Sequence, residues 1–442
     1  MDLMKNEGLS YGEFKDKLEV FYPGVYTPEE QAAIDAWKAG TYQSKRPGPA
    51  MGMNGERDGV IGPIHGNFSK LYAHVWDKYN PLWFDPEFAR ANGWADTPVR
   101  PGYISAENML QLPDELGENA NFVHDWVIGD AYDHEVEYLA PIYPGDTLKK
   151  VLTRRDFIDA TDPQGGHIRA LVTVCTVEYE NQKGERVFRA ISRYPSFKYR
   201  SLDPEFKAPF QHAFGRYVHP EPEYSDEDWE IIKGYMLGEK VRKEPLYWED
   251  VQIGQEPTPI CEGPIEQCDM IRLTGYQLVE SNLRDQFENG GHGHFAKMQG
   301  GHYTNMSASH VYKDHANWFN FTGRNLGVRL VSNWAGPTAL IAKCAWRMIN
   351  DDPPETATNH LPESYARPSW LFKVPALKQA GRYMNLHGFC GDLGLMKGYV
   401  SDKYIQDGKH YVELVVWGEN LDGGIWQETL FTVILPSRED NQ

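Results

Sequence analysis

The sequence predicts an α+β chain made of two copies of one unit, each a set of long antiparallel strands laid across a helix. Three observations predict it. The stretch "HIRALVTVCTVEYENQKGERVFRAISRYPSFKY" alternates β-branched residues on both sides of "NQKGE", the pattern of a hairpin. Capped helical segments precede such strands rather than alternate with them. The order of segments then repeats: "GDLGLMKGYVSDKY" stands where "PGDTLKKVLTRRDF" stood, and "QDGKHYVELVVWGENLDGG" where "GGHIRALVTVCTVEYENQKGE" did.

Residues 1–60 read as an N-terminal helical arm. Its "TPEEQAAIDAWKAG" has a Thr N-cap, Pro and acids in the first turn, and a terminal Gly. "SKRPGPAMGMNG" then breaks the pattern. Residues 61–200 form the first unit, a helix interrupted by Asn-Pro and followed by strands. Residues 201–245 are Pro-rich and acidic, a linker with a helix at "SDEDWEIIKGYMLGEKV". Residues 246–442 form the second unit, with a His-rich middle and strands to its end.

With 442 residues, 41% hydrophobic and 13% aromatic, the chain can build a large core. Its net charge of −19, from 63 acids and 44 bases, argues against nucleic acid and anionic membranes as partners. No apolar run is long enough to span a bilayer, and the N-terminus lacks a signal peptide's apolar stretch, so a cytoplasmic protein is expected. Five scattered cysteines suit buried thiols better than a disulfide framework. No cofactor is expected. His292, His294 and His302 lie in the glycine-rich stretch 289–303, which reads as a lid or active-site loop. A third ligand at zinc spacing is not evident, so no metal is expected.

The chain resembles the MaoC-like acyl dehydratases, tandem double hot dog proteins. The first half carries "NPLWFD", "FARANG", "RPGYI" and "APIYPGDTL". The second carries "LYWEDVQIGQE", "SNWAGPTALI", "VVWGENLDGG" and "FTVILP". The match covers residues 65–200 and 245–437. It implies a double hot dog of two antiparallel sheets, each wrapped around a central helix, and hydration or dehydration of an acyl-CoA thioester.

That chemistry needs a base, a second group holding the same water, and an N–H for the enolate-like oxygen. In the family, Asp-x-Asn-Pro-x-His supplies the first two. In the first copy Trp83 stands in the histidine place and Lys78 in the aspartate place, and neither can take a proton. Asp77 adjoins Lys78 but belongs to another face if the helix continues. The first half is therefore expected to be a degenerate hot dog serving as acyl pocket, walled by Trp76, Tyr79, Trp83, Phe84 and Phe88. The plain alternative is that these aromatics are core.

In the second copy, "GGHYTNMSASHVYKDHANWFNFTG" puts His310 in the histidine place and Asn305 in the aspartate place. The resemblance thus implies His310 as base and Asn305 as the group that orients water. Asp314, Asp285 and Glu288 are candidates for the missing acid. Gly323 or Gly327 is expected to offer the oxyanion N–H. Arg324 and Arg329 are candidates for the phosphates of CoA, with a solvated helix face as the alternative. A homo-oligomer, dimer or larger, is expected by analogy. Two further readings stand beside the hydro-lyase. One is a non-catalytic acyl-CoA-binding subunit of a hetero-oligomer. The other is a thioesterase using Glu280 or Glu288.

Overall fold

In a computed structural model, the structure describes residues 15–41, 59–104, 133–167, 169–198, 200, 202–203, 223–264, 296–297, 303–304, 320–348, 369–380 and 393–439. The strands are β1 (Val60–Ile61), β2 (Asp133–Tyr138), β3 (Leu148–Asp159), β4 (Arg169–Glu180), β5 (Arg186–Lys198) and β6 (Ile260–Glu262). They continue with β7 (Ala296–Lys297), β8 (Tyr303–Thr304), β9 (Leu340–Met348), β10 (Gly394–Gln406), β11 (Lys409–Glu419) and β12 (Ile425–Leu435). The helices are α1 (Pro28–Ala39), α2 (Gly66–Asp77), α3 (Pro86–Ala91), α4 (Asp226–Gly238), α5 (Asn320–Ala335) and α6 (Pro375–Ala380).

Ten strands form one antiparallel sheet in the order β1-β3-β4-β5-β2-β9-β12-β11-β10-β6. This corrects the expectation of two separate sheets. Strands β2 and β9 would each leave an unpaired row of N–H and C=O groups at the edge of a half. They pair with each other instead, with Val136 opposite Cys344. Charge supports the junction: Lys343 on β9 bonds Glu135 on β2 and lies 3.9 Å from Glu137. Read outward from this junction, the order is the same on both sides, so β3 answers to β10 and β4 to β11.

Helix α5 packs against β9, β10, β11 and β12 and is buried on nearly every face, Arg329 being half-buried. Its glycines permit this. A Cβ on Gly327 would stand 2.9 Å from the Phe431 ring, and one on Gly323 would collide with the Gln427 side chain. On the side away from the sheet α5 meets α2 of the first half. The main core, including Tyr72, Trp76, Val136, Val331 and Phe431, is continuous across both halves.

The arm docks on the outer strands of the first half. Thr27 and Glu30 cap α1 reciprocally, and Gly40 closes it in the left-handed region at φ 71°. Trp37 Nε1 donates to the Asp156 carbonyl at 3.0 Å. Arg169 bonds the carbonyls of Tyr22 and Val25 and lies against the rings of Phe21 and Tyr26. Among the described residues no helix is long and apolar enough to cross a membrane.

Candidate functional site

The site begins where α2 ends. Asp77 is the last residue of α2, and the Asn80-Pro81 turn redirects the chain at once. Asn80 Oδ1 accepts the Leu82 N–H at 3.1 Å, and Asp85 caps α3 by accepting from Glu87 and Phe88. The reversal brings the Trp83 indole back onto the helix end, where Nε1 donates to Asp77 Oδ2 at 2.6 Å. Asp77 therefore shares the face of Trp83, contrary to the expectation drawn from a continuing helix, while Lys78 points to solvent.

Helix α5 closes the group from the other half. Ser332 Oγ donates to the same Asp77 oxygen at 3.1 Å. Arg100 Nε stands 3.9 Å from it. The Arg100 terminal nitrogens donate to Asn325 Oδ1 at 3.0 Å and to the Asn325 carbonyl at 2.7 Å. Tyr72 donates to Asn325 Oδ1 at 2.6 Å. Gly102, at φ +101°, donates its N–H to the Tyr138 hydroxyl at 2.6 Å. These residues form a buried polar seam between the halves.

Against this seam lies a cavity of about 600 Å³ of atom-free space, counting the open solvent at its mouth. The first half contributes Trp83, Trp94 and the segment Pro98–Pro101. The second contributes Ser332 and Ala335 from α5 and Ile341 from β9.

Burial pushes the Asp77 carboxyl above the usual carboxylate range, against the opposing pull of Arg100 and of the Trp83 hydrogen bond. Burial likewise lowers Arg100 from its ordinary value. The carboxyl keeps its proton to higher pH when folded than when unfolded. Its favourable contribution is thus complete below the ordinary carboxylate range and is lost as pH rises through the folded value. Asp77→Asn should then lose less stability between pH 4 and pH 8 than the parent protein does. Urea midpoints across that range are the measurement, and parallel curves for the two proteins would count against it.

The structure distributes the expected site residues unevenly. Trp83 lines the cavity. Phe84 packs beside it in the small cluster of Ala73, Leu82 and Ala89. Trp76 is in the main core, 1% exposed. Tyr79 is 62% exposed, with the Lys78 ammonium 4.8 Å from its ring centre, so it faces water rather than an acyl chain. Gly327 is corrected as an oxyanion donor. It sits mid-helix, where the i→i−4 ladder takes its N–H, and serves packing against Phe431. Gly323 is the fourth residue of α5 and packs against the Gln427 side chain.

Neither arginine reaches outward to a carrier phosphate. Arg329 is held by Glu239 and Glu262, and Arg324 is 1% exposed. His310, Asn305 and Asp314 lie outside the described residues, as do Asp285, Glu280, Glu288 and the histidines of 289–303. The cavity adjoins the C-terminal end of α5, whereas His310 precedes its first residue by ten positions. The described residues do not bring the two together. The polar groups that sequence reasoning missed are Arg100, Asn325, Ser332 and Tyr138, while Asp77 was weighed but set on the wrong face. Arg100 stood in the quoted "RPGYI", but nothing local marks it as buried.

Residues 58–190 match a family model described as FAS1-like, dehydratase domain region. A search of curated proteins returns no match. Among solved structures, a MaoC-like dehydratase aligns over 86% of this chain and 97% of its own at 13% identity and TM-score 0.48. A MaoC domain dehydratase from Chloroflexus aurantiacus aligns over 89% and 99% at 16% identity and TM-score 0.43. A double hot dog protein from Mycobacterium tuberculosis aligns over 84% and 92% at 10% identity and TM-score 0.42.

Proposed function

We infer the chemistry from a partial likeness: residues 58–190 match a FAS1-like dehydratase domain region, and we read the chain as a MaoC-like hydro-lyase of acyl-CoA thioesters. The cavity carries this reading. Its apolar walls come from both halves, and Trp83 fills the histidine place of the first copy. An indole that donates to Asp77 has no lone pair for a proton, so this half binds acyl chain and does not react.

Chemistry falls to the second copy. His310 takes a proton from water, and the water oxygen bonds the β-carbon of the conjugated thioester. The electron pair moves to the thioester oxygen, where the Gly323 N–H receives the charge. The proton returns to the α-carbon, completing addition of water across the double bond. Asn305 orients the water through its carbonyl oxygen, and Asp314 is the nearest alternative acid in sequence. The ten Cα-to-Cα steps from His310 to the first residue of α5 can extend to about 33 Å. That is enough to run back along the roughly 24 Å of the helix. Whole chains associate as a homo-oligomer in the same reading.

The test is a panel of enoyl-CoA esters followed by loss of conjugated absorbance. His310→Ala should slow turnover at least about a hundredfold with an unchanged urea midpoint. Asn305→Asp, which restores the family's acid, should retain turnover. Full activity in His310→Ala would remove the assigned base. The cavity's lack of a free base among the described residues favours one second reading, a non-catalytic acyl-CoA-binding subunit. Tight binding of the esters without turnover would select it.

A further inference from the structure

Two guanidinium groups are buried at the seam. Arg100 and Arg324 are each 1% exposed. Arg100 engages Asn325 and the Pro101 carbonyl, but its Nε has no hydrogen-bond partner. Arg324 lies 4.5 Å from the ring centre of Trp346. None of its three nitrogens has a well-aligned hydrogen-bond acceptor among the described residues, although its guanidinium interacts with the Tyr72 hydroxyl.

A guanidinium carries five N–H donors and keeps its charge at any accessible pH. The face of Trp346 offsets part of the cost of burying it. It does not supply acceptors for the donors. Buried charges are ordinarily paired, because an isolated one forfeits its hydration. Asp77 lies 3.9 Å from Arg100 and already accepts from Trp83 and Ser332. Burial also favours its protonated form. Among the described residues the seam therefore carries two cations and less than one full compensating charge.

The cavity opens onto this imbalance. Arg100 and Tyr138 both line it, and Tyr138 lies in the electrostatic field of Arg324. We propose that the cavity accepts an acyl group bearing a carboxylate at its buried end, with Arg100 as the opposite charge in its wall and Arg324 acting from behind Tyr138 through its field. The proposal rests on the cavity being the acyl pocket of the reading above. A free short-chain carboxylic acid presents the same chemistry, and the two sources separate experimentally.

Binding is measured without turnover, by competition and by the urea midpoint, on the full chain. The first pair of probes is hexanoate against hexanamide. The second is a medium-chain enoyl-CoA ending in a carboxylate against one of equal length ending in a methyl group. The carboxylate-ended thioester is expected to bind about tenfold or more tightly than its methyl partner. Arg324→Met should abolish that preference. It should also be at least as stable as the parent protein without ligand, because it removes an unpaired buried charge. Equal binding within both probe pairs overturns the proposal. So does a preference confined to free hexanoate, which assigns the site to another ligand. An Arg324→Met protein that is destabilised or fails to fold also overturns it, since the protein itself would then pair the guanidinium. A preference for the carboxylate-ended thioester without any turnover leaves this site standing and refutes only the hydro-lyase.

Discussion

Gly102→Ala is expected to lose about 3–5 kcal/mol of stability, a sum of two effects. The first is conformational: φ +101° lies where a Cβ is strained. The second is steric. The new Cβ would stand 2.5 Å from Asn325 Oδ1 and 2.9 Å from the Tyr72 hydroxyl. Those atoms are bonded to each other and to Arg100, so none can yield without breaking the seam. Gly93 supplies the control. It has φ +89° but nothing within 4 Å of its Cβ position, so Gly93→Ala should cost only the conformational part, about 1–2 kcal/mol. Equal urea midpoints for the two variants would show that the seam gives way without cost.

Trp83→Ala is expected to cost about 3–5 kcal/mol, the range for emptying a large buried aromatic site. Trp83 is 5% exposed and packs with Ala73, Leu82 and Ala89. Trp83→Phe separates packing from the hydrogen bond. It keeps most of the ring area, removes the donor to Asp77, and should cost about 1–3 kcal/mol. The alanine variant also enlarges the cavity, so it should shift acyl preference toward longer or bulkier chains in the thioester panel. A phenylalanine variant as stable as the parent would mean that the indole–carboxylate bond contributes nothing. Unchanged acyl preference in the alanine variant would place the chain elsewhere.

Local order was legible where short-range chemistry decides it. Thr27 and Ser225 announced their helices because a cap is set by the next three residues. The hairpin of β4 and β5 was legible from period-two alternation on either side of its turn. The Asp77–Trp83 pair was not, although six residues separate its partners. The face of a residue was extrapolated along a helix that the Asn-Pro turn cuts off at Asp77. Arg324 and Arg329 read as two equivalent basic residues on one helix. One met glutamates from the linker and β6, and the other met a tryptophan from β9. Those partners are set by packing and leave no trace in spacing.

By itself the sequence determined the long strands, the capped helices and the repeated order of segments. All of these depend on residue type and on neighbours a few positions away. The tertiary structure decided that the two halves share one sheet through β2 and β9. It also decided that α5 meets α2 across a buried polar seam, and that two arginines are shut inside, one of them in the wall of a cavity. Edge pairing and burial arise between residues a hundred or more positions apart, where strand edges and charges find partners only after the chain has closed on itself.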